Sequence, residues 1–399
     1  MKATLSAGLS ALQGKLGGLC GKVINGRQQI GRLSQPYSIS GKSPSMNQEW
    51  VQDQYALVVR DWRSASPEQI AAWDALGKPE GLSGFDWLVR SRCTIFLNRG
   101  VTWTDGEQLG SSAIVSSLAY MGNDICLAGC YSKSQVFRSL DAGLTWSLML
   151  SPADLDDVAI ICYAENGICF MVSGWFAQIW RSADYGLTWS MVFVSDWDFF
   201  MVGVAYVGNG ICLAASVYDN SVYRSVDFGL TWYKTQILGT SFDYMLFCNL
   251  GDGIILIAAR SPGQFWRSVD YGVSWSFVCF LGAVNLIHSL CYLGNGICLA
   301  GTAMPGSVWR SIDYGVTWSL VQTLGTAIVI DAITYAGLGV CIAGAGQPGQ
   351  FWRSIDYGVT WSLVQTESFY TSVASLCFLD GETMIAGMSQ HGDIFRSTP

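Results

Sequence analysis

One eight-residue phrase recurs along the chain at a constant pitch. Ser139-Leu-Asp141-Ala-Gly143-Leu-Thr145-Trp146 returns with its aspartate at Asp184, Asp227, Asp270, Asp313 and Asp356, and every interval is 43 residues. A strict period of that size marks an array of supersecondary units, each of which buries its apolar face against the next. It also fixes a correspondence: a residue 43 positions away holds the same place in the adjoining unit.

Residues 288–321 show what one unit contains. Apolar runs of four to seven residues, cut by turn signals, read as short strands rather than helices. His288-Ser-Leu-Cys-Tyr292 is the first, Ile297-Cys-Leu-Ala300 the second, Ser307-Val-Trp-Arg310 the third and Thr317-Trp-Ser-Leu320 the fourth. Gly294-Asn295-Gly296 makes a hairpin of the first two, because Asn-Gly tolerates the positive φ of a tight turn. Ser311-Ile-Asp313-Tyr-Gly315-Val joins the last two. Four antiparallel strands in a unit of about 40 to 45 residues make up a β-propeller blade.

The ends of the array set the blade count. A step of one period back from Asp141 reaches Asn98, and Asn98-Arg-Gly100-Val-Thr102-Trp103 is the second half of the phrase without its first. A step forward from Arg353-Ser354 reaches Arg396-Ser397, leaving a last unit of three strands. The two fragments make one blade, so the expected fold is mainly β: a seven-bladed propeller closed by a strand near Gly100 to Asp105 joining the sheet of Asp393 to Ser397. Closure of this kind removes two unpaired edges for the entropy of one loop.

Ser-x-Asp-x-Gly-x-Thr-Trp resembles the Asp-box, or bacterial neuraminidase repeat, of sialidases, sortilin-type receptors, certain xyloglucan hydrolases and photosystem II assembly propellers. The resemblance covers residues 98–399 and implies fold rather than activity, since the box in that family is a structural turn. The residues agree. Aspartate can accept hydrogen bonds from turn amides, glycine supplies the special backbone angle, and tryptophan packs on the sheet. Asp141, Asp184, Asp227, Asp270, Asp313 and Asp356 are therefore expected to be structural.

Composition fits a large two-faced core: 50% of residues are apolar, 13% are charged and 17 are Trp. No apolar run approaches the roughly 18 residues of a membrane span, and the N-terminus lacks the continuous apolar stretch of a secretory signal. Nine of the thirteen cysteines obey the period. Cys126, Cys169, Cys212, Cys298 and Cys341 form one phase, completed by Ile255 and Met384; Cys162, Cys248, Cys291 and Cys377 form another, completed by Ala119, Ala205 and Thr334. Residues that interchange with Ile, Met and Ala are small core hydrophobes, not ligands or bridges, so neither a metal nor a cofactor is expected.

Residues 1–97 follow a different grammar and are expected to form a separate module. Lys2, Lys15, Lys22, Arg27, Arg32 and Lys42 stand in residues 1–48 without an acid, which leaves −14 on the remainder of a chain whose net charge is −8. A basic, Gly-rich stretch suggests an arm or hairpin able to lie on nucleic acid or on an acidic neighbour. Helices are expected over Asn47 to Arg63, from the Ser66-Pro67-Glu68-Gln69 cap through Ala75, and after Ser83. The order Trp62, Ser66-Pro-Glu-Gln-Ile-Ala-Ala-Trp73, Gly81-Leu-Ser-Gly-Phe85 resembles a small module of tailed-phage structural proteins, with Ala65-Ser66 in place of Leu-Thr. That resemblance implies a virion component, present in multiple copies and folded in the host cytoplasm, that docks on other virion proteins through residues 1–97.

Binding residues are sought in the loops between strands four and one and between two and three, which share one face and vary while the strands repeat. Trp175, Asp196, Trp197, Asp198, Phe199 and Phe200 gather in one sector; Tyr218, Phe242, Asp243, Tyr244, Phe369 and Tyr370 lie in others. Aromatics beside carboxylates can stack on sugar rings and accept hydroxyl protons. Trp175, Trp197, Asp198, Tyr218, Asp243, Tyr244 and Tyr370 are the candidates for a host-surface glycan. No catalytic set is assigned. The Arg-Ile-Pro segment of a sialidase is absent, and Arg138, Arg181, Arg224, Arg267, Arg310, Arg353 and Arg396 are one repeated strand position. Asp196 with Asp198 can in principle supply the two carboxylates that the alternative, a glycan hydrolase, needs. His288 and Asp331 stand one period apart near the channel mouth, where an acid/base pair could form.

Overall fold

The computed structural model describes residues 22–24, 27–29, 63, 65–78, 99–110, 114–131, 135–151, 158–173, 177–194, 200–217, 219–239, 244–281, 286–367, 369–379 and 383–397. The chain divides into a unit of Met1–Glu49 and a unit of Trp50–Pro399. In the first, Lys22–Ile24 pairs antiparallel with Arg27–Gln29, within the stretch expected to form an arm or hairpin. In the second, the helix Pro67–Gly77 opens as its sequence dictates. Ser66 Oγ accepts from the Gln69 N–H at 3.3 Å, Gln69 Oε1 accepts from the Ser66 N–H at 2.8 Å, and proline fills the first turn. The other two expected helices and the boundary between residues 97 and 98 lie outside the described residues.

The rest is seven four-stranded antiparallel sheets, blades 1 to 6 over residues 115–150, 158–194, 201–237, 245–280, 286–323 and 329–367. Blades 5 and 6 touch through one backbone pair, Ala303 with Val329. Blade 7 is composite: Val373–Phe378, Met384–Met388 and Asp393–Ser397 are completed by Thr104–Gln108, with Thr104 opposite Arg396 and Asp105 opposite Phe395. The closing strand thus lies a few residues beyond the stretch expected near Gly100, because Arg99 and Gly100 are still in the turn. The innermost strand of each blade packs on that of the next, and blade 7's on blade 1's. One hydrophobic cluster joins Leu379, Ile385 and Ile394 of blade 7 to Val115, Cys126, Phe137 and Trp146 of blade 1, so the ring is closed by core as well as by hydrogen bonds.

Burial grades outward. Second strands such as Cys126–Cys130 and Cys169–Ser173 are wholly buried, whereas outer strands such as Ser276–Phe280 hold only exposed and half-buried residues. The first cysteine phase sits in those second strands, buried throughout, with Ile255 and Met384 equally buried at its other two places. Burial pushes the Cys298 and Cys291 thiols up to about 12, which keeps them protonated and inert.

The fourth strand begins later than expected. In blade 5 it runs Ser319–Thr323, because Thr317 still belongs to the turn: its N–H donates to Asp313 Oδ1 at 2.8 Å and its hydroxyl to Oδ2 at 2.6 Å. The same geometry recurs in all six boxes. In blade 2, Ser182 Oγ donates to Asp184 and accepts from the Gly186 N–H, while Asp184 accepts from the N–H groups of Leu187 and Thr188. The residue between Asp and Gly also takes positive φ, +60° at Tyr185 and +56° at Phe228, an unusual angle for a bulky aromatic. A Cβ on Gly186 would lie 2.6 Å from Leu127 of the preceding blade, so this glycine is required by contact as well as by angle.

Candidate functional site

Antiparallel blades put their box turns and first hairpins on one face and their remaining loops on the other. On the box face, six of the seven repeated arginines are inter-blade staples. Arg138 Nε donates to the Tyr185 carbonyl at 2.7 Å, and Arg181, Arg224, Arg267 and Arg310 do the same to Phe228, Tyr271, Tyr314 and Tyr357. Arg353 reaches the Arg99 carbonyl at 2.7 Å, which makes the half-phrase at Asn98 a working box turn. At the seventh boundary Arg396 Nε is buried without a partner among the described residues.

The box carboxylates are equally committed. Slight burial would raise Asp227, but hydrogen bonds from Thr231, Ser225 and Leu230 outweigh it and hold the carboxyl down at about 2. The same balance lowers Asp141, Asp184, Asp270 and Asp313. These groups hold the turns.

The opposite face surrounds the channel mouth. Trp175, Asp196, Trp197, Asp198, Phe199, Tyr218, Phe242 and Asp243 lie outside the described residues. Tyr244 and Tyr370 are described, and the fold does not bring them together. Tyr244 packs against the cluster between blades 3 and 4, its carbonyl accepts from the Arg260 N–H at 2.9 Å, and burial pushes its phenol up to about 12 against the pull of the Arg260 guanidinium. Tyr370 lies between blades 6 and 7. Its hydroxyl donates to Asp393 at 2.6 Å, its ring meets Phe395 edge-on at 5.4 Å, and its carbonyl accepts from the Gly349 N–H at 3.1 Å. Burial, then the Asp393 carboxylate, raises its phenol above the ordinary tyrosine range. Its neighbour Phe369 is 85% exposed.

The pair one period apart does meet. His288 Nδ1 stands 3.3 Å from Asp331 Oδ1, both side chains largely buried at the first-strand entrances of blades 5 and 6. Asp331 Oδ2 accepts a hydrogen bond from the Ser372 hydroxyl at the entrance of blade 7. Ser372 was not legible from the repeat, because it lies 41 residues from Asp331 rather than 43. Arg260 is tied in through its carbonyl, which accepts from the Ile287 N–H at 3.1 Å. His288 Nε2 and Arg260 Nε are buried with no partner among the described residues. The order Ser–Asp–His is not that of a nucleophile, its base and an orienting acid, since the hydroxyl bonds the carboxylate rather than the imidazole. With Nδ1–H directed at Asp331, the neutral ring offers Nε2 as an acceptor and the imidazolium offers it as a donor. The arrangement can hold a polar group.

No protein-family model and no curated protein matches the chain. Solved structures do. A YCF48 structure bound to D1 peptide superposes with a TM-score of 0.62 at 15% identity, covering 74% of this chain and 97% of that one. A catalytically inactive virginiamycin B lyase from Staphylococcus aureus with quinupristin gives 0.65 at 12% identity over 75% and 99%. The GH74 xyloglucanase from Xanthomonas campestris gives 0.60 at 15% identity, over 74% of this chain and 53% of that one. The chain carries a β-propeller. At these identities the likeness speaks of fold, and its members include enzymes as well as a peptide-bound protein.

Proposed function

We propose that this chain is a non-enzymatic recognition protein of a tailed-phage particle, anchored by residues 1–97 and presenting the channel-mouth face of its propeller to a host-surface carbohydrate. The observation that carries the reading is how the propeller's repeated charges are spent. Its box aspartates hold turns and six of its repeated arginines tie one blade to the next, while at the mouth His288 Nε2 and Arg260 Nε have no hydrogen-bond partner among the described residues. A buried polar atom without a partner asks for one, and hydroxyl-rich ligands supply both donors and acceptors. The particle assignment rests on the resemblance of Trp62, Ser66 to Trp73 and Gly81 to Phe85 to the tailed-phage module; the cap that Ser66 and Gln69 form follows from their own residues. The hydrolase alternative rests on Asp196 and Asp198, which lie outside the described residues and supply no geometry.

The test is made on the full chain. Cryo-electron microscopy of particles should place it on the virion surface with the propeller outward. A glycan array should give hits that His288→Ala weakens about tenfold or more without lowering the melting temperature. Absence of the protein from purified particles would overturn the assignment, and reducing sugar released from a bound glycan would overturn the non-enzymatic reading.

A further inference from the structure

The rim of the box face is apolar where nothing in the fold demands it. The residues before each box Asp and after each box Gly point to water, yet they are almost all aliphatic: Leu140 is 62% exposed, Val269 60% and Ile312 64%. The outer strand beside them carries a bulge in each of blades 1 to 6, opposite the aromatic of the third strand. In blade 4 the register shifts between Phe265 and Trp266, and Phe277 and Phe280 come to lie side by side, with ring centroids 4.9 Å apart. Both are about half exposed. A groove of about 360 Å³ opens next to them, lined by Val269, Phe277 and Val316, with Ser274, Ser276 and Arg267 completing it. Arg267 is held by its Nε to the Tyr314 carbonyl at 3.1 Å.

The period isolates blade 4. The places of Phe277 and Phe280 are filled by Leu148 and Ser151 in blade 1, Met191 and Val194 in blade 2, Lys234 and Ile237 in blade 3, Leu320 and Thr323 in blade 5, Leu363 and Thr366 in blade 6, and Asp105 and Gln108 in the closing strand. Only blade 4 has two aromatics there. A bulged outer strand is poorly suited to adding another strand, so what the patch offers is its side chains.

We infer that this patch is the contact through which two copies of the chain associate about a two-fold axis, each copy's Phe280 entering the other's groove between Val269 and Val316. Three observations favour a second copy over a different partner. A projecting aromatic and a hollow lie side by side in one patch, which is the self-complementarity an isologous contact needs. The outer strand Ser276–Phe280 has no charge and the groove beside it is lined by no acidic residue, so two copies of a chain of net charge −8 bring no carboxylates together there. The exposed apolar side chains of the patch, Val269, Phe277, Phe280 and Val316, are few, so the contact falls below the roughly 800 Å² per partner of a standard interface and is expected to be a weak, reversible one. The inference does not depend on the particle role.

The experiment is sedimentation velocity on the full chain from about 1 to about 100 μM. A monomer–dimer equilibrium is expected, tightening as salt rises because screening removes repulsion between negative copies. Phe280→Lys should raise the dissociation constant at least about tenfold with the melting temperature unchanged. Leu148→Lys, the corresponding change in blade 1, should leave the equilibrium as it was. If Phe280→Lys fails to fold, Phe280→Ser serves in its place. A parent that stays monomeric throughout, a Phe280 variant that dimerises like the parent, or equal loss on Leu148→Lys would each overturn the inference.

Discussion

A single carboxylate organises each box, and its chemistry is visible in how it titrates. Asp227 has a folded-state pKa of about 2, below the ordinary carboxylate value, so its contribution to stability is present at neutral pH and is lost as pH falls from about 4 towards 2. The group is only half-buried and open to solvent on one side, which keeps that contribution small. Asp227→Asn should therefore lower stability by about 0.5 to 1 kcal/mol at pH 7. The gap between variant and parent should close as the parent protonates, as read from urea midpoints across that pH range. Equal midpoints at pH 7 would show that the turn stands without its carboxylate.

Between blades the unit of cohesion is the arginine staple, and the seven boundaries are not alike. Arg181 Nε holds the Phe228 carbonyl at 2.7 Å, whereas Arg396 Nε has no partner among the described residues. Arg181→Met should cost about 1 to 2 kcal/mol in chemical denaturation, and Arg396→Met distinctly less; equal losses would mean that the methylene stems, not the hydrogen bonds, do the holding. Blade number, strand order and the composite blade were legible because a 43-residue period reports register directly, and Arg396-Ser397 pointed to its missing strand. The staple was half legible: the arginine phase was evident, but its acceptor is a backbone carbonyl 47 residues on, and carbonyls carry no sequence signal. Tyr185 and Phe228 at positive φ ran against residue preference, since contact with the first hairpin of their own blade overrides it: the Tyr185 ring lies over Gly167, and its N–H donates to the Gly167 carbonyl at 2.9 Å. At the mouth, His288 and Asp331 were found because they keep the period. Ser372 breaks it by two residues and was not.

For the whole ring, the closing strand is the most economical point of attack. Ending the chain before Asp393 removes the third strand of blade 7 and leaves Thr104–Gln108 nothing to pair with. The shortened protein should aggregate on size-exclusion chromatography and melt well below the parent; a soluble product of unchanged melting temperature would mean that the hydrophobic seam between blades 7 and 1 closes the ring unaided. Seen from the seam, the propeller has no mechanical first blade. Thr104 meets Arg396 by the same ladder that joins outer to third strands elsewhere, so the place where the polypeptide is cut is an accident of connectivity rather than a property of the shape. The same ring, re-threaded from a nick in another blade's outer loop, would keep its seven sheets and merely exchange which pair of strands is held together without a covalent link.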